Sequence, residues 1–185
     1  SLYIHANTVT GIKEAIIFAK NYDIKKVVIV GGSESWRITD FIKENNISIV
    51  LKRIHSLPSH QDDDINQSVK TPKILKEAGI LFCLDYQGDM ERMGSRNLPF
   101  LAGNTVNFGF DKEDALQLIT ENPAKILGIS NRTGTLEMGK DANLFISSGD
   151  ALDVKSNNIE LLFFMGEEVS LDNHQLKLYN KYLQE

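Results

Sequence analysis

The run Lys26-Val27-Val28-Ile29-Val30 is apolar at every position after its first, and it stops at Gly31-Gly32. A strand with one wet face alternates apolar and polar residues. An unbroken apolar run belongs to a strand covered on both faces, as in parallel sheets flanked by helices. The neighbouring segments agree with that reading. Residues 2–6 form a short strand, and a helix opens at Thr10 or Gly11 with Ile12, Ala15, Ile16 and Ala19 at helical spacing. Ser33 or Ser35 is placed to cap the next helix, which carries Trp36, Ile38, Phe41 and Ile42 on one side. Asn45-Asn46 stops it, and residues 47–54 make a third strand.

A polar loop over 55–70 leads to a short helix that begins near Pro72, a suitable first-turn residue, and ends at Gly79. Residues 80–86 are the fourth strand; helices follow near 98–107 and over 112–127, the second opened by Asp111. Repetition of strand and helix in this order specifies a parallel β/α architecture. Around Gly128 the pattern changes. Glycines punctuate two strands, 144–147 and 159–164, of a small β element, and Leu176, Leu178, Tyr179, Tyr182 and Leu183 fit a terminal helix.

Composition bounds the function. With 42% hydrophobic and 24% charged residues the chain is an ordered globular one. Twenty basic against 25 acidic residues give a net charge of −5, which lacks the footprint of a nucleic-acid binder. No apolar run is long enough for a membrane-spanning helix. The single cysteine, Cys83, sits mid-strand between Phe82 and Leu84 and reads as a buried, inert thiol. VVIVGGSES has a glycine-rich turn between strand and helix, but it lacks the spacing and the Lys-Ser/Thr pair of phosphate-binding loops.

Several motifs, in order, resemble the metal-dependent amidohydrolase superfamily, in particular its imidazolonepropionase-like branch. The strongest is NPAKILGI (122–129), followed by TGTLEMGKDANLFI (133–146). Upstream, LYIHAN (2–7), IVGGSESWRITD (29–40), AGILFCLDYQ (78–87) and NLPFLAG (97–103) are similar to the fifth, sixth and eighth barrel strands and the segment after the last. The fold this implies is α/β: the C-terminal half of a TIM-type (β/α)8 barrel, about four parallel strand–helix units, over residues 1–130. Residues 131–185 would then be a small β element from the composite β-sandwich and a C-terminal helix. The resemblance also implies that Ser1 marks a cut, that the parent's N-terminus and location lie beyond view, and that exposed sheet edges drive self-association of half-barrels.

The activity implied for the parent is hydrolysis of a non-peptide, cyclic-amide-type C–N bond in a small-molecule substrate. A divalent metal (zinc, iron or nickel) would activate the water there, with none bound by this fragment alone, which is expected to be inactive by itself. Barrel chemistry sits at the C-terminal ends of the strands. His5 matches the fifth-strand histidine ligand. The sixth-strand histidine falls on Gly31, which ligates nothing, and the eighth-strand aspartate, the family's proton acceptor, falls on Gln87. Asp85 or Asp89 would have to substitute as the base, or else be solvated loop carboxylates. His55 and His60, near Asp62, Asp63 and Asp64, belong to the substrate loop and offer a weak alternative cation site. With two family positions changed, a catalytically degenerate barrel with a structural or ligand-binding role is the alternative.

Overall fold

In the computed structural model, residues 1–87 and 93–183 are described. Four parallel strands, β1 (Leu2–Ala6), β2 (Val27–Gly31), β3 (Ser48–Leu51) and β4 (Phe82–Leu84), lie side by side in sequence order. Each parallel step needs a crossover, supplied by α1 (Val9–Asn21), α2 (Thr39–Glu44) and α3 (Gln67–Glu77). One sheet face, with Ile29, Ile49, Leu51, Phe82 and Leu84, packs on Ile12 and Ile16 of α1, Ile42 of α2 and Leu75 of α3. The other face holds a smaller cluster of Val28 and Cys83 beneath Ile126 of α6 (Glu121–Leu127). Val28 and Ile29 point to opposite faces and are both fully buried, which is why the run in β2 has no polar interruption. The fold is thus a four-stranded parallel β/α unit, as expected for half of a (β/α)8 barrel, with α6 closing part of its inner face.

Local sequence explains where elements begin and break. Thr8 caps α1 by accepting the Gly11 N–H at 3.2 Å, so the helix starts just before Thr10; its buried residues are the four that the spacing picks out. The single helix expected after Gly31-Gly32 is instead a 3₁₀ turn (Ser35–Arg37) followed by α2, and neither serine caps it. Ser33 donates its hydroxyl to Asn7 Oδ1 at 2.8 Å, so that side chain is committed elsewhere. Helix α3 begins five residues before Pro72, which lies buried inside it. The expected 112–127 helix splits into α5 (Lys112–Gln117) and α6, with Pro123 unable to donate an N–H across the join. The split has a use: the Leu118 carbonyl accepts the Leu84 N–H at 3.1 Å, and Asn122 Nδ2 donates to the Phe82 carbonyl at 2.9 Å. These two bonds engage the outer edge of β4.

Beyond Gly128, β5 (Leu144–Ser147), β6 (Ile159–Phe164) and β7 (Glu167–Glu168) form an antiparallel sheet, and α7 (His174–Tyr182), capped by Asn173, has no buried residue. Leu152 reaches back into the main core beside α4 (Leu98–Asn104). A Cβ on Gly103 of α4 would lie 2.1 Å from the Leu152 carbonyl oxygen. Gly103→Ala is therefore expected to destabilise the chain by about 1–3 kcal/mol, read as a lower denaturant midpoint in equilibrium unfolding. An unchanged midpoint would show that this contact is not held in solution.

Candidate active-site rim

The C-terminal ends of the four strands form one rim. His5, paired in register with Val30, is exposed on the face opposite α1 to α3. Gln87 follows β4, and its Nε2 lies 3.4 Å from His5 Nδ1. Flat parallel strands at that separation in the sheet would stand about 14 Å apart. The sheet is curled enough for side chains from its two outermost strands to meet across the rim.

Asp85 is half-buried and locally engaged. Its N–H continues the ladder to the Leu51 carbonyl at 2.8 Å, and its Oδ1 accepts the Tyr86 N–H at 2.7 Å. Below it, burial and then the Asp85 charge push the Cys83 thiol up to about 12, so the sulfur stays a neutral packing group. Asp89 lies outside the described residues.

At the end of β2 the structure explains the glycine. Gly31 has φ +109°, and a Cβ there would lie 2.5 Å from Asn7 Oδ1 and 3.2 Å from the Ala6 carbonyl oxygen. The Asn7 side chain, fixed by Ser33, fills the place where a histidine would have to leave the backbone. A short polar network continues from there: Gly32 N–H to Ala6 O at 2.8 Å, Glu34 N–H to Asn7 O at 2.9 Å, and the Val9 N–H to Glu34 Oε2 at 2.8 Å.

The two histidines of the 55–70 loop are held apart by different partners. His60 Nε2 lies 2.7 Å from Glu34 Oε1, at the β2 end. His55 bonds Asn104 and lines an open cavity of about 590 Å³ with Lys112, Asp150 and Leu152. Asp63 pairs with Arg37, and Asp64 with Lys70. Among the described residues no three His, Cys, Asp or Glu side chains gather as a metal site. Among the described residues the ends of β1, β2 and β4 do not make up a full ligand set: His5 stands beside a neutral amide, position 31 has no side chain, and Asp85 Oδ1 is engaged by its neighbour's N–H. Sequence reasoning overlooked Asn7 and Glu34; the signal for Glu34 is a lone carboxylate in the turn directly after an unbroken apolar strand.

The profile of the amidohydrolase family matches residues 2–171. Among solved structures, the chain is similar to an amidohydrolase from Thermotoga maritima MSB8, with TM-score 0.75 and 29% identity over 91% of this chain and 43% of that one. A Xaa-Pro dipeptidase with methionine bound in its active site superposes with TM-score 0.63 and 20% identity over 91% and 44%. A zinc-bound adenosine deaminase from Xanthomonas campestris does so with 0.57 and 15% over 98% and 49%. The chain therefore spans about half the length, or less, of these structures. No curated protein matches the chain significantly.

Two measurements check the geometry of the rim. Gly31→Ala is expected to cost about 1–3 kcal/mol from its backbone conformation alone, with the clash against Asn7 added. Asn7→Ala in the same chain should recover only part of the loss in an unfolding titration; full recovery would show that φ is not the constraint. Cys83 should resist alkylation at pH 8 in the folded chain and react only under denaturant, as followed by mass spectrometry.

Proposed function

The chain belongs to the amidohydrolase family, and from that membership we propose that it is the C-terminal barrel half of a hydrolase of the imidazolonepropionase-like branch. The bond cleaved is a non-peptide, cyclic-amide-type C–N bond of a small molecule. The observation that carries the reading is the meeting of His5 and Gln87 across the rim, at the strand ends where barrel enzymes place their chemistry. The motifs at 122–129 and 133–146 support the branch.

Gln87 cannot take a proton at neutral pH, so on this reading its amide binds and orients a substrate carbonyl beside His5. A divalent metal in the parent would draw further ligands from residues beyond these 185, because the described strand ends do not supply a full set, with His5 as the one strand-end imidazole here that could join it. One observation favours the second reading, a ligand-binding barrel without turnover: Asn7 occupies the space of the family's sixth-strand histidine.

The full-length protein separates the two readings when assayed with five- and six-membered cyclic amides. Turnover that falls at least about tenfold in His5→Ala supports the hydrolase. Saturable binding of a cyclic amide with no product, and well under one metal per chain, would overturn it in favour of the binding barrel.

A further inference from the structure

Glu34 is a buried carboxylate, 6% exposed, at the β1–β2 corner of the rim. Both its oxygens are occupied: Oε2 accepts the Val9 N–H, and Oε1 lies 2.7 Å from His60 Nε2. An ionised carboxylate only accepts hydrogen bonds, so the imidazole nitrogen facing it carries the proton. In the neutral ring Nδ1 then keeps its lone pair. The His60 side chain is 57% exposed, and its Nδ1 has no partner among the described residues.

The turn that carries the imidazole is held at several points. The Asp63 N–H donates to the His60 carbonyl at 3.2 Å, Asp63 is paired with Arg37 beside Trp36, and Lys70 holds Asp64. Glu34 is fixed from the other side by the start of α1. A buried carboxylate orienting an exposed imidazole, on a braced turn at the working end of a barrel, is an arrangement for moving a proton.

We propose that Glu34 and His60 form a proton-transfer dyad, in which His60 is the base toward water and Glu34 is its positioning residue. The inference rests on the hydrolase reading only for placing the dyad at the substrate end. In the step, Nδ1 takes a proton from water as the water oxygen bonds to the substrate's carbonyl carbon. The imidazolium, held by Glu34, then returns that proton to the leaving atom as the bond from carbon to that atom breaks. Water is the only co-reactant. The base that Gln87 cannot be is supplied from the neighbouring corner of the rim.

An activated ester tests this without reference to C–N bonds or metal. With the full-length protein and p-nitrophenyl acetate at pH 7.5, the protein-dependent release of p-nitrophenolate should fall at least about tenfold in His60→Gln. It should be unchanged in His174→Gln, an exposed histidine on α7. Glu34→Gln should fall severalfold, and ¹⁵N spectra of His60 should show the Nε2-protonated tautomer in the wild type and a mixture in this variant. Circular dichroism of His60→Gln, altered at an exposed side chain, provides the fold control. A wild-type rate in His60→Gln, no protein-dependent release at all, or an Nδ1-protonated wild-type ring would overturn the dyad. Failure of the full-length protein on cyclic amides, with these results intact, would overturn only the choice of substrate bond.

Discussion

Burial of β2 on both faces is the constraint on which the rest depends. Once Ile29 is committed to the helices and Val28 to the opposite side, something apolar must cover that opposite side near the start of the strands. Ile126 does so, and its helix is anchored by the Asn122 amide on the β4 edge and by its carbonyl 3.4 Å from the Tyr3 hydroxyl. The segment most recognisable in sequence, 122–129, is therefore a structural piece. It closes one end of the inner face and leaves the strand C-termini as the open end. The position of the rim follows from where the plug sits.

At that open end, one residue exchange rearranges the chemistry. A histidine at position 31 would need ordinary backbone φ and free space beyond Cα, and it has neither. Asn7 and Gly31 are complementary: the amide fills what the glycine vacates, and Ser33 locks it. Restoring a histidine there would require undoing the local hydrogen bonds of two strand ends. The altered position is thus built into the corner, and the network that replaces it is the one that presents Glu34 to His60.

The legible parts of the chain were those governed by nearest-neighbour physics. Periodicity exposes the buried face of α1 residue by residue, and apolar continuity identifies β2, because burial there is decided by positions one to four apart. Helix limits read from single residues were less secure. Ser33 has the side chain of a cap yet bonds across to Asn7, and Pro72 has the look of a helix start yet lies inside α3, where its own buried surface outweighs one lost N–H bond. The rim pairings, His5 with Gln87 and Glu34 with His60, join residues 82 and 26 positions apart. They depend on the curl of the sheet and on the path of a loop, neither of which is encoded in local spacing.

Gln87 then has a physical rationale as a partner rather than a loss. An aspartate at that point would place a second carboxylate near Asp85 and above the buried Cys83, whose thiol is already held up by burial and then by the Asp85 charge. Two like charges over an apolar inner face raise each other's protonation cost. A neutral amide reaches His5 without that penalty and still offers a donor to a carbonyl oxygen. The rim divides its labour accordingly: neutral hydrogen-bonding groups stand where the outer strands meet, and the buried Glu34 carboxylate stands at the β1–β2 corner, where a backbone N–H and an imidazole N–H both bond it. Proton transfer belongs at the corner, because there the imidazole has a carboxylate fixed behind it.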